Sequence, residues 1–281
     1  MKTRTATRLL LAATAALLIA PLAACGEAKP DPSPSDSTAS GALTTLKVGV
    51  TAGPAEQILT YAAVTQAKAE GLLIEAKVFT DFTTPDNALK EGELDANLYQ
   101  HKPFLDNYNA QQNGNLVALD EVYLLPITLY SKRWNSISEI PGGATISLPN
   151  DPSNEARALQ LLAGLGLISI SDGATTVNDI IRNQHDFEFV ELSADTVVPT
   201  LDDVDAGVVN FNYALSSGLT NEREPLEVEP SANSPYFVVL ATQSGRQTES
   251  TIEALNRILT SPQTVAWIAE EFKGLVLTPG A

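Results

Sequence analysis

"ATISLPNDPSNEARALQLL", residues 144–162, is a strand pattern that runs straight into a helix. "ATISLP" reads as the strand. Asn150 and Asp151 are cap candidates, Pro152 suits the first helical position, and Ala158, Leu161, Leu162 and Leu165 recur at one-face spacing. A strand feeding a capped helix is half of a βαβ unit, and the same pattern recurs on both sides of this stretch.

Upstream, "LKVGV" (46–50) reads as a strand and "PAEQILTYAAVTQAKAEG" (54–71) as a helix with a stripe at Ile58, Tyr61, Ala62 and Ala69. "IEAKVF", "DNALKEG", "LDANLY" and "KPFLDNYNAQQ" continue strand, helix, strand, helix, and "LVALDEVYLLPITLYSK" is a long extended stretch with Pro126 inside it. Downstream come the strands "FEFVEL", "AGVVNFNY", which runs into a helix, and "SPYFVVLATQ". Two amphipathic helices close the chain, with stripes at Ile252, Leu255 and Leu259 and at Val265, Ile268, Ala269 and Phe272. The pattern predicts two α/β lobes built on largely parallel sheets. Lobe 1 takes residues 45–131 plus 236–281 and lobe 2 residues 132–235, so two crossover strands leave a ligand cleft between the lobes.

The chain opens with Lys2, Arg4 and Arg8 ahead of an apolar run from Leu9, the layout of an export signal over residues 1–24 and too short for a membrane span. "LAAC" (22–25) resembles the bacterial lipobox, and Cys25 is the sole cysteine of the sequence. That resemblance implies cleavage before Cys25 and lipid on its sulfur. Residues 25–44 then read as a lipidated cysteine and a flexible Pro, Ser and Asp-rich tether. The whole chain has 17 basic and 34 acidic residues, and removal of the signal leaves 14 basic ones. A balance so acidic excludes a nucleic-acid or polybasic membrane-surface role.

Arg157 lies within about two turns of the positive helix end, where a cation is disfavoured by roughly 0.3–1 kcal/mol. Its same-face neighbours Ser153, Asn154, Gln160 and Leu161 include no carboxylate. It either lays its stem over the apolar stripe with its head in water, or forms an anion site with free helix N–H groups. Ligands of open α/β sheets sit at the carboxyl ends of strands. That rule selects Phe82, then Tyr99, His101 and Phe104, then Asn154 and Arg157, and finally Asn210 and Asn212. Each has a plainer use: Phe82 and Phe104 in the core, His101 as a helix cap, Asn210 and Asn212 as turn residues. Taken together they suit an amino acid, with guanidinium for carboxylate, amide oxygens for ammonium and aromatics for an apolar or thioether side chain.

"KVGVTAGP" (47–54), "NLYQHKPFLD" (97–106), "PITLYSK" (126–132), "SLPNDPSNEARAL" (147–159) and "LDDVDAGVVNFNYAL" (201–215) resemble the NlpA lipoprotein family over about residues 46–279. The resemblance implies a two-lobed periplasmic-binding-protein fold of type II and a lipid anchor on the extracytoplasmic face of the cell membrane. It also implies delivery of D- or L-methionine, or a close relative, to the permease and ATPase subunit of an ABC importer. Arg157 would pair with the ligand carboxylate, assisted by Asn154. Asn212, with Asn210 beside it, would serve the amino and carboxylate ends, and Phe82, Tyr99 and Phe104, with His101 near them, would wall the side chain. The family commonly carries tyrosine at Phe82 and Phe104 and Gln-Pro-Asn at Thr84, Pro85 and Asp86. Those departures leave room for another apolar amino acid or a methionine dipeptide as ligand.

An enzyme on the same fold has no support: the single thiol is the anchor, the two histidines, His101 and His185, are far apart, and no nucleophile elbow or metal-ligand spacing occurs. A metal-binding lipoprotein has little to ligate with, and an adhesion scaffold would leave the cleft empty. The expectation is a monomeric binding protein without a cofactor.

Overall fold

The computed structural model describes residues 42–280. The signal segment, Cys25 and the tether up to residue 41 lie outside the described residues. The chain first lays down β1 (Thr44–Thr51), α1 (Pro54–Thr65), β2 (Leu72–Phe79), α2 (Thr84–Lys90), β3 (Ala96–His101), α3 (Lys102–Gln112) and β4 (Leu116–Leu124). It continues through β5 (Ile127–Tyr130), β6 (Thr145–Pro149), α4 (Pro152–Gly164), the short pair β7 (Ser169–Ile170) and β8 (Ile180–Arg182), β9 (Glu188–Leu192) and α5 (Ala194–Thr200). Then follow β10 (Ala206–Asn210), α6 (Phe211–Ser216), α7 (Leu219–Glu222), β11 (Glu227–Val228), β12 (Phe237–Gln243), α8 (Ser250–Leu259) and α9 (Pro262–Phe272).

Two five-stranded sheets make two lobes. The first has the order β2-β1-β3-β12-β4, with β1 parallel to β2 and β3 and β12 antiparallel to both its neighbours. The second has the order β11-β5-β10-β6-β9, parallel through β10-β6-β9 and antiparallel at β5. Each sheet is therefore mixed rather than largely parallel, because the strands that return from the other lobe insert against the run of the βαβ units. Cores lie on both faces of each sheet. Val208 of β10 joins Ile146, Leu148 and Ala158 on one side, while the next residue, Val209, joins Val197 and Leu201 on the other. Strands buried on both faces read as continuous apolar runs, which is why "AGVV" shows no alternation.

The first crossing falls earlier than residue 131. Pro126 cannot donate to a ladder, so the long stretch 116–132 breaks there: Leu116–Leu124 stays in the first sheet and Ile127–Tyr130 already pairs with β10 in the second. The return runs from β11 to β12 through residues 229–236. The closing helices pack on the first lobe, where Ile252, Leu255, Leu259, Ile268 and Phe272 join the core of β1, β3 and α1. Their stripes are shifted in detail: Thr264 is buried and Ala269 exposed, and the first helix ends at Thr65, so that Ala69 is exposed as well. On β1, a Cβ at Gly49 would stand 2.3 Å from Oδ1 of Asn97, so this position admits β3 close enough to carry a polar side chain between the strands. Among the described residues no helix is long and apolar enough to cross a membrane.

Candidate functional site

Four strand ends converge where the lobes meet. All eight residues selected from the sequence, Phe82, Tyr99, His101, Phe104, Asn154, Arg157, Asn210 and Asn212, line one narrow cavity that is partly open to solvent. Gln100, Tyr236, Phe211 and Val238 line it too.

The polar wall is one chain of hydrogen bonds whose directions follow from its first member. Asp151 caps α4, accepting from the backbone N–H of Asn154 at 2.9 Å, and it also accepts from Asn154 Nδ2 at 3.0 and 3.1 Å. The side-chain oxygen of Asn154 therefore faces away and accepts from Asn210 Nδ2 at 2.8 Å and from His101 Nε2 at 3.3 Å. His101 Nδ1 accepts from the backbone N–H of Phe104 at 3.2 Å, capping α3, so the ring proton sits on Nε2. His101 is thus both the cap and part of the cavity, and it ties the first lobe to the second.

Burial, and then the charge of Arg157, push the His101 imidazole down to about 3. Its folded value lies below the ordinary one near 6.5, so the native state binds fewer protons than the unfolded chain below that pH. Stability from this residue is present above pH 6.5 and is lost progressively towards pH 3. An NMR titration of the native protein is expected to keep the His101 ring neutral from pH 8 down to pH 5. A midpoint near 6.5 would show that the ring is solvated rather than buried beside Arg157.

Arg157 is 3% exposed and not snorkelled. The helix end beside it is already taken by its own Asp151 cap, and the guanidinium is paired within the protein. Its Nε donates to the Glu229 carboxylate at 2.8 and 2.9 Å, Nη2 donates to the same carboxylate and to the Leu125 carbonyl at 2.8 Å, and the group lies 4.4 Å from the Tyr236 ring centre. The anion that Arg157 lacked on its own helix is Glu229, from the segment that returns to the first lobe. Among the described residues Nη1 has no partner. Asn154, with its amide nitrogen on Asp151 and its oxygen shared, positions neighbours rather than offering a free group.

On the same cavity, Oδ1 of Asn210 and Nδ2 of Asn212 are among the buried polar atoms that have no partner among the described residues. β10 ends at Asn210 and α6 begins at Phe211, so Asn212 sits in the first turn of a helix and not in the strand. The other wall is aromatic. The Phe82 ring centre lies 5.9 Å from that of Tyr99, 6.0 Å from that of Phe104 and 5.1 Å from that of Tyr213, and the Tyr99 hydroxyl donates to the Phe82 carbonyl at 2.9 Å. Tyr213, from the second lobe, donates to the Thr80 carbonyl of the first at 3.3 Å. Sequence reasoning missed Glu229, Tyr236, Gln100 and Tyr213. Tyr236 alone had a local signal, standing at the head of the apolar run that becomes β12. Among the described residues no cluster of three or more His, Cys, Asp or Glu is placed to hold a metal.

The comparisons with known proteins agree on one group. The family model described as NlpA lipoprotein matches residues 46–279. Outer membrane lipoprotein 3 of Mannheimia haemolytica is 36% identical over 235 residues, 83% of this chain and 89% of the relative. D-methionine-binding lipoprotein MetQ of Escherichia coli is 32% identical over 264 residues, 88% of this chain and 93% of the relative. A nutrient-binding protein of Burkholderia cenocepacia, whose structure was solved bound to methionine, superposes with a TM-score of 0.78 at 35% identity, covering 83% of this chain and 99% of that one.

Proposed function

This chain belongs to the NlpA lipoprotein family, and on that footing we propose that it is the solute-binding protein of an ABC importer. It captures methionine, D or L, or a closely related amino acid, and delivers it to the membrane permease and its ATPase subunit. It is a binding protein and not an enzyme. It acts as a monomer held by lipid on Cys25 at the extracytoplasmic face of the membrane.

The observation that carries this reading is the set of unpaired polar atoms on one cavity. Arg157 Nη1 and Asn212 Nδ2 are donors for a carboxylate, and Asn210 Oδ1 is an acceptor for an ammonium group. The charge balance points the same way. His101 is neutral and Arg157 is matched by Glu229, so the cavity offers no unmatched cation to balance a net negative ligand and suits a zwitterion. An N-acylated amino acid would bring an uncompensated negative charge into a buried site, which costs several kcal/mol. Phe82, Tyr99 and Phe104 wall the side-chain end, where a thioether sulfur gains roughly 0.3–1.5 kcal/mol per aromatic contact.

Isothermal titration of the purified protein tests this with L-methionine, D-methionine, norleucine and N-acetylmethionine. One equivalent of at least one methionine enantiomer is expected to bind, and N-acetylmethionine is expected not to. No heat and no thermal shift with any free amino acid would overturn the reading.

A further inference from the structure

β3 does not run evenly beside β12. Leu98 pairs with Leu240 and His101 with Val238, so Tyr99 and Gln100 together stand opposite the single residue Val239. A bulge of this kind re-aims a side chain that strict alternation would turn to the other face. Gln100 accordingly joins Tyr99 and His101 on the cavity wall, although it is only 3% exposed.

Behind it lies Asp86 of α2, with no exposed surface. One oxygen of its carboxylate accepts from Gln100 Nε2 at 2.6 Å and from Asn97 Nδ2 at 3.0 Å. A carboxylate can only accept, so both amides must turn their NH2 groups to it. Gln100 Oε1 is thereby committed as an acceptor, and among the described residues it is buried with no partner. An asparagine at position 86 would impose no such direction, because an amide offers a donor and an acceptor alike.

We propose that Gln100 is a specificity-determining residue whose Oε1 accepts from a protonated nitrogen of the ligand, and that Asp86 is the positioning residue that holds it as an acceptor. This rests on the amino-acid reading above, in which that nitrogen is the α-ammonium, shared with Asn210 Oδ1 from the opposite lobe. It names an ammonium subsite that spans both lobes.

Burial pushes the Asp86 carboxyl up to about 6 against the lowering effect of its amide partners. The other ionisable groups turned towards it are the phenols of Tyr99 and Tyr108, both pushed up, mainly by burial, and neutral throughout this range. Once protonated, Asp86 can itself donate to an amide oxygen, and Gln100 is no longer held one way round. A free amino acid stays zwitterionic between pH 5 and 7.5, so a change in affinity over that interval belongs to the protein.

The test titrates methionine into wild type, Gln100→Met and Asp86→Asn at pH 7.5 and pH 5, with folding checked by circular dichroism. Wild type is expected to weaken several-fold at pH 5. Gln100→Met is expected to bind about tenfold or more weakly at pH 7.5, the scale of one hydrogen bond to a charged group. Asp86→Asn is expected to lose the pH dependence. Wild-type affinity in Gln100→Met, a flat wild-type profile, or a wild-type profile in Asp86→Asn each overturns the proposal. If Gln100→Met does not fold, the profile of Asp86→Asn decides. Wild type that binds no amino acid at either pH overturns the amino-acid reading and this subsite with it. Binding without these effects overturns the subsite alone.

Discussion

Arg157→Ala is expected to raise the Kd for methionine by about a hundredfold or more and, separately, to destabilise the protein by about 3–5 kcal/mol. The two losses have different origins. The first is the charge-assisted bond from Nη1 to the ligand carboxylate that the proposed function calls for. The second arises because Glu229 stays behind, largely buried, with its counter-ion gone. Removing both partners separates the effects. Arg157→Met with Glu229→Leu replaces the pair by apolar groups and is expected to recover part of the stability, the Ile127 N–H that Glu229 accepts from at 3.1 Å being left unpaired, while binding stays lost. Urea unfolding and calorimetry on the single and double variants measure both quantities. Binding that returns along with stability would mean that Arg157 serves the fold and not the ligand.

Asn154→Ala is the second large effect, and it reaches both lobes at once. It strips the acceptor from Asn210 Nδ2 and from His101 Nε2, and it takes away the amide nitrogen from which both Asp151 carboxylate oxygens accept. Each buried donor left unpaired costs about 1–3 kcal/mol. The expected result is a loss of about 2–4 kcal/mol in stability and a rise of about tenfold in Kd, since nothing then fixes which way the Asn210 amide faces. Asn154→Asp is expected not to rescue either quantity, because a carboxylate cannot donate to Asp151 and repels it. Rescue by aspartate would show that the direction of the hydrogen-bond chain is other than described.

The candidate site was legible from the sequence to the extent that it follows from strand ends. His101, Arg157 and Asn210 stand just after or at the close of strands whose apolar runs are plain to see, and α/β geometry brings such points together. What was not legible depends on pairings distant along the chain. Glu229 lies 72 residues from Arg157, in a segment with no apolar period, and nothing near either residue announces the other. Gln100 was invisible for a different reason: a bulge is a mismatch between two strands, and β3 carries no trace of it until β12 is laid alongside. The boundary at Pro126 was hidden because both halves of the stretch are apolar and extended, although they belong to different sheets. Asn212 was placed in a strand because Phe211 is apolar, whereas the turn into α6 is already made at that residue.

The position of β12 has a consequence for how the molecule comes into being. That strand lies inside the first sheet, with β3 on one side and β4 on the other, yet it is made after every strand of the second sheet. A nascent chain emerging in order can complete the second lobe while the first still has a gap through its middle and two unpaired strand edges. The lobe that starts first finishes last. A product ending before residue 237 would keep both edges open, a substrate for aggregation or proteolysis rather than a half-sized binding protein.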